Sequence, residues 1–268
     1  MTGDVGVLAS GGCHIFSGCG FPAPGLQDFN WKPFFTIGSF GFTKPMLLAI
    51  LAAVVVIGFF WAAFRKPKLV PRGVQNLGEL AILGVRDQIL RPSLGRRGDS
   101  YLPFLVSLFF FIYIMNIMEL IPILQFPVTS RIGFVWPMVF IVYFLYLYLG
   151  VKHQGAWGYL RNMIPPGVPW PIYIILVPVE LLRFFVFQPF TLGVRLFGNM
   201  FAGHLLLTIF TLASWYLLSL SVGLVYAAGS FALAIFVFLL ETLVTLLQAF
   251  IFTTLTATYI ASSVEPAH

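Results

Sequence analysis

An all-α protein crossing a membrane about five times is the fold class this sequence predicts, and three observations predict it. Only 9% of the 268 residues are charged while 59% are hydrophobic, and mean hydropathy is +0.96. A soluble domain would carry about 25% charged residues. Apolar runs of roughly 20 residues, the length that crosses the hydrocarbon, recur along the chain. Basic residues gather beside those runs, so membrane topology explains the net charge of +6 better than nucleic-acid binding does. The 18 prolines and 25 glycines interrupt any single uniform bundle, but membrane helices tolerate both where neighbours satisfy the freed backbone groups.

In chain order, residues 1–43 form a leader ahead of a membrane domain at 44–268. The leader has no basic n-region, and the first long apolar run begins only near Pro45, so no signal peptide is evident. Cys13 and Cys19 stand six apart with His14 beside the first. Two cysteines and one histidine at this spacing match no usual zinc pattern, so no metal or cofactor is expected. Unreactive or partly paired thiols are the default reading; a disulfide is open to them if the leader faces an oxidising compartment. The first span is 45–64, centred on Val54 to Ile57 and stopped by Arg65-Lys66-Pro67-Lys68. A basic loop, 65–101, separates it from spans at 102–121 and 132–150. Two further apolar stretches, 172–218 and 225–260, are too long for perpendicular crossings. Residues 172–213 alone would extend about 63 Å as a helix. Tilt, an interfacial portion or bending at Pro178 and Pro189 absorbs the excess. The last two spans therefore read as long, tilted helices in an antiparallel hairpin that turns near residues 219–223.

Orientation follows from the loops. Residues 65–101 hold Arg65, Lys66, Lys68, Arg72, Arg86, Arg91, Arg96 and Arg97, more than half of all Lys and Arg. The positive-inside rule places that loop in the cytoplasm and the N-terminus outside. The next external loop carries only Arg131, the next internal one Lys152 and Arg161. Five crossings then put the C-terminus in the cytoplasm.

Few polar side chains lie within the apolar segments, and these are the candidate functional residues. Arg195 has no acidic residue within ten positions on either side. A charge there costs roughly 2.5–3.5 kcal/mol on insertion scales, which marks an ion path, a pairing partner or a gating device. In the antiparallel hairpin, Arg195 falls level with Gln248 and His204 level with Glu241. Helical phase sets Gln188, Arg195 and Asn199 within about 40° of one face, with His204 half a turn away. Glu241 and Gln248, seven apart, share a face of their own helix. Two compartments result: an arginine face open toward a partner, and a His–Glu pair lining a separate polar path. Imidazole and carboxylate exchange protons. Arginine, with a pKa above about 12, does not; it attracts a carboxylate, favours its deprotonation and blocks a leak. The missing carboxylate is expected from another subunit.

Structural readings stand beside these. Arg195 could snorkel, His204 could be a satisfied core histidine, and Asn199 and Gln248 could simply bridge helices. Glu180 is placed toward the cytoplasmic side, either lining an access path or lying at the interface. Asn116 and Glu119 stand one turn apart near an external helix end, where solvation is cheap. Arg183 lies three residues after Glu180, so the two partly neutralise each other. The 30 phenylalanines are explained by lipid contact and helix packing.

The run Arg195-Leu196-Phe197-Gly198-Asn199-Met200 with Ala202-Gly203-His204, followed by Leu246-Leu247-Gln248-Ala249-Phe250-Ile251-Phe252, resembles subunit a of the rotary F-type ATP synthase. Asn116-Ile117-Met118-Glu119-Leu120-Ile121-Pro122 is similar to that family's asparagine-to-proline signature. The likeness covers most of the chain after about residue 45 and is specific over 178–260. It implies a stator whose tilted hairpin curves against a ring of c subunits and supplies two offset half-channels. It also implies partnership with peripheral-stalk b subunits, the soluble ATPase head and membrane lipid. The family's invariant arginine matches Arg195, its nearby polar residues Asn199 and Gln248, its His/Glu pair His204 and Glu241, and its cytoplasmic acid Glu180. Arg183 stands where serine is frequent, and Gln188 precedes Pro189 where a basic residue is common; these bear on the cytoplasmic mouth, not the Arg195 core. The leader matches nothing specific. The resemblance together with chain length, the lack of an evident presequence and the charge pattern points to a bacterial cell membrane.

Translocated protons are the expected cargo, with Glu119, Asn116 and Gln188 as further candidates along the path. No G-x-x-x-x-G-K-[ST] loop occurs, so phosphoryl transfer is not expected in this chain. The rival of another class is a free-standing secondary transporter with an arginine-centred anion site, which predicts internal repeats; none is convincing. A purely structural scaffold would tolerate substitution at Arg195, His204 and Glu241.

Overall fold

The computed structural model describes residues 21, 25, 35–37, 40–121, 124–155, 157–159, 170–218 and 223–264. Cys13, Cys19, His14 and most of the hairpin turn fall outside them. A short antiparallel pair, β1 (Phe35–Ile37) and β2 (Phe40–Phe42), precedes α1 (Lys44–Phe64). All other regular structure among the described residues is helical. Among the described residues, five helical stretches are long and apolar enough to cross a membrane: Lys44–Phe64, Val74–Ile117, Ile132–Gln154, Ile172–Tyr216 and Gly223–Val264. These carry the five expected spans, each with ends within a few residues of the sequence reading except the second.

That second stretch differs. The basic connection is helical from Val74 onward: α2 (Val74–Val85), a π turn at Arg86–Leu90, α3 (Arg91–Leu94) and a 3-10 turn at Gly95–Tyr101 lead into α4 (Leu102–Ile117). Its charges read as a loop, yet Gln75, Gly78, Val85 and Ile89 recur at helical spacing and are buried. The seam is built on small and amide side chains, because α2 lies close to the end of α1. A methyl at Gly78 would overlap Ala63.

α5 (Ile132–Gln154) follows, then α6 (Trp170–Leu182), a second π turn at Arg183–Phe187, α7 (Gln188–Tyr216) and α8 (Gly223–Val264). The excess length of the fourth stretch meets a local change of pitch. Both π turns end two residues before a proline, Pro92 and Pro189. Proline has no N–H for the carbonyl four residues back, and its ring crowds that carbonyl. The residue before each proline bonds five back instead: Arg91 N–H donates to Arg86 O and Gln188 N–H to Arg183 O. A widened turn of this kind keeps the helix going past the proline.

α8 is the hub. It packs on α4, α5 and, most extensively, α7. Its inward seam starts with Ala227, Ala234, Glu241 and Gln248 at seven-residue intervals and continues through Phe252 and Ile260. Small residues there let α7 approach closely. Opposite them stand Leu105, Ile112 and Met115 of α4, Val135, Val139 and Tyr146 of α5, and Leu192 and Leu196 of α7, all buried. Gln154 donates to Ser263 O at 2.9 Å, and the Tyr159 hydroxyl lies 2.9 Å from Ser263 Oγ. These bonds bring the connection after α5 to the end of α8. At the opposite end, Phe21 of the leader meets Tyr216 edge-on at 5.5 Å.

Candidate functional site

α7 supplies the candidate site's spine. Arg195, Asn199, Ala202, Leu206 and Ile209 lie along its exposed face, while Leu192, Leu196 and Met200 face the core. Arg195 is exposed within this apolar helix, and among the described residues no hydrogen bond or ion pair engages it. One turn on, Asn199 Nδ2 donates to Gln248 Oε1 at 2.8 Å. That bond fixes the antiparallel register of the hairpin. Gln248 is buried on the α8 seam and its Nε2 has no acceptor among the described residues.

A second polar group lies nine residues beyond Arg195 along α7, about 14 Å by helical rise and half a turn around. His204 Nδ1 is 2.8 Å from Glu119 Oε1, a carboxylate just beyond the end of α4. Glu241 of α8 faces both Glu119 and His204. It fits because Gly203 has no side chain; a methyl there would overlap Glu241 Oε1. Glu119 is 3% exposed and Glu241 2%. Glu119 Oε2, both Glu241 carboxyl oxygens and Thr245 Oγ1 have no hydrogen-bond partner among the described residues. Buried oxygens without donors are costly, and two adjacent carboxyls beside an imidazole can pass a proton among three side chains. The Phe126 ring closes over His204 with centroids 6.0 Å apart.

The expected His204–Glu241 level therefore becomes a three-residue cluster in which Glu119 is a direct partner of His204. Asn116 and Glu119 do not lie at a solvated helix end. The 3-10 turn Val128–Ser130 folds over them, Thr129 Oγ1 donates to Asn116 Oδ1, and Asn116 is 0% exposed. Gln248, expected level with Arg195, takes its direct bond from Asn199, one turn further along α7. Thr129 and Gly203 are the positions whose part in the site the residues did not announce. Gly203 stood beside His204 in a recognisable run, whereas nothing local marks Thr129.

On the other side of Arg195, fifteen residues or about 22 Å back along the helical path, Glu180 and Arg183 form a pair at 3.3 Å. Arg183 is exposed and Glu180 half-buried, so the pair sits at the rim of α6. Gln188, half-buried at the start of α7, has Oε1 without a donor among the described residues. Acidic groups thus stand at two depths on opposite sides of Arg195.

Comparison with known proteins agrees with this architecture. The family model described as ATP synthase A chain matches residues 46–261. ATP synthase subunit a of Streptomyces lividans is 44% identical over 262 residues, covering 96% of this chain and 92% of that protein. The Frankia alni protein of the same name is 39% identical, covering 91% and 86%, and that of Hyphomonas neptunium 37% identical, covering 82% and 85%. The chain belongs to the ATP synthase subunit a family.

Proposed function

We propose that this chain conducts protons through two offset half-channels to and from a carboxylate carried by a ring of c subunits, and so couples proton flow to ring rotation and ATP synthesis. The observation that carries the reading is Arg195: a permanent cation exposed on an apolar helix, with no counter-charge among the described residues. A charge in that position is stabilised by a carboxylate from a neighbouring subunit. His204, Glu119 and Glu241, with Asn116 and Thr129 holding the floor, deliver protons from the outer side. Once protonated, the ring carboxylate is neutral and travels through lipid. It releases its proton toward Glu180, past Gln188, and returns past Arg195 as an anion. Asn199 and Gln248 hold the hairpin together at the arginine's level. Each charge that crosses contributes about 2.3 kcal/mol per 100 mV, and phosphorylation takes place in the soluble head, joined through peripheral-stalk b subunits. In a bacterial cell membrane the basic stretch 65–101 faces the cytoplasm, the N-terminus lies outside and the C-terminus inside, following the positive-inside rule.

A free-standing transporter would bind an anion at an interrupted helix. α7 runs unbroken through Arg195 from Gln188 to Tyr216, which gives that rival no site. ATP-driven acidification of inverted vesicles tests the proposal. With assembly checked by co-purification of ring and head, Arg195→Ala abolishes acidification; unchanged acidification in the assembled variant sinks the mechanism.

A further inference from the structure

We propose that the junction of α1 and α2 is a binding site for one anionic phospholipid of the surrounding bilayer. A cavity of about 480 Å³ opens there. Arg65, Lys66, Lys68 and Arg72 line its polar side, and Ala62, Ala63 and Val74 its apolar floor. None of the four cations has an ion-pair partner among the described residues. The nearby carboxylate of Glu79 accepts from the cavity-lining Gln75 Nε2 at 2.8 Å and pairs with none of these cations.

The cradle is built, not a loose charge run. Gln75, 8% exposed, accepts from Lys68 N–H at 3.0 Å and donates to Lys68 O at 2.8 Å, so one amide latches the connection on both backbone groups. Gly73, at φ +62°, supplies the left-handed turn that returns the chain into α2. The Arg65 guanidinium lies 4.8 Å over the Trp61 ring, which holds it at the helix end.

The apolar half of the ligand has a track. Leu47, Ile50, Val54, Ile57 and Trp61 follow one another at spacings of three and four and are each at least 50% exposed. They form a single stripe on α1, about 21 Å long, ending one turn before Arg65. A leaflet's share of the hydrocarbon is about 15 Å. The stripe therefore accommodates an acyl chain whose headgroup phosphate lies among the four cations. Basic pockets beside membrane helices recognise anionic headgroups in this way. A free phosphate would use the cations without the stripe.

The test uses the assembled complex, stripped of loosely held lipid and titrated with phosphatidylglycerol or phosphatidylcholine, with retained lipid counted by native mass spectrometry. Wild type retains phosphatidylglycerol preferentially, and millimolar inorganic phosphate does not displace it. Lys66→Gln with Lys68→Gln weakens retention roughly 25-fold, about fivefold per cation. Arg96→Gln with Arg97→Gln removes equal charge elsewhere and leaves retention unchanged. Equal retention of the two lipids, equal weakening in both double variants, or displacement by phosphate each overturns the proposal. If the lysine variant fails to assemble, the wild-type lipid preference and phosphate competition decide it alone.

Discussion

Gly203 and Glu241 illustrate how tightly single residues set the candidate path. The carboxyl of Glu241 occupies the volume that a side chain at 203 would need. Gly203→Ala is expected to cost about 1–3 kcal/mol through overpacking and to cut proton pumping at least tenfold, read as acidification of inverted vesicles against assembled wild type. Wild-type rates would mean that Glu241 can leave its place without loss. Thr129 acts on the same cluster by holding Asn116. Thr129→Val leaves a buried amide oxygen without its donor, a loss of about 1–3 kcal/mol, and lowers the dissociation temperature of the solubilised complex, while Thr129→Ser restores it. The sequence picked out Asn116, Glu119, His204 and Glu241 because ionisable and amide groups in apolar segments are expensive. It could not pair His204 with Glu119, 85 residues away, since hairpin register relates only α7 to α8.

Among the elements, the two π turns carry the clearest physical lesson. Each precedes a proline, and the residue before that proline bonds five back, widening the turn where the proline has no N–H to give. The turn at Arg183–Phe187 sits between Glu180 and Arg195, so it sets the angle between them. Pro189→Ala restores the N–H and favours an ordinary α pitch, rotating Glu180 by about 100° relative to Arg195. Pumping is expected to fall several-fold with assembly intact; an unchanged rate would show that the azimuth of Glu180 does not matter. Pro189 marked a place where the helix had to adjust, by bending among other means, but a widened turn was not legible. α2 was hidden for a different reason. Its buried seam holds Gln75 and Gly78, whereas Leu77 and Leu80 point outward at 55% and 64% exposure, the reverse of the pattern that marks a soluble amphipathic helix.

At the scale of the molecule, five spans and a strongly asymmetric charge distribution fix an expected orientation. Leu69, fully exposed in the basic connection, offers a direct check. In a background with Cys13→Ser and Cys19→Ser, Leu69→Cys should react with an impermeant maleimide in inverted vesicles and stay unlabelled in intact cells. Labelling of intact cells instead would reverse the topology. The outward faces of α7 and α8 remain apolar along most of their length, with Phe236, Leu239 and Leu243 near or above 60% exposure. Hydrocarbon and a ring of apolar helices are both suitable neighbours for such a surface.

The sequence by itself determined the membrane class, the five spans and the antiparallel hairpin, and it singled out the polar residues within the apolar segments as candidates. Hydrophobic length, charge placement and helical phase are local properties, and they act before any helix meets another. Tertiary structure alone decided which polar groups meet. It set Asn199 rather than Arg195 on Gln248, put Glu119 on His204, buried Asn116 under Val128–Ser130 and left Arg195 facing outward. Those outcomes depend on how α4, α7 and α8 converge and on where a missing side chain, as at Gly203, lets two of them come close.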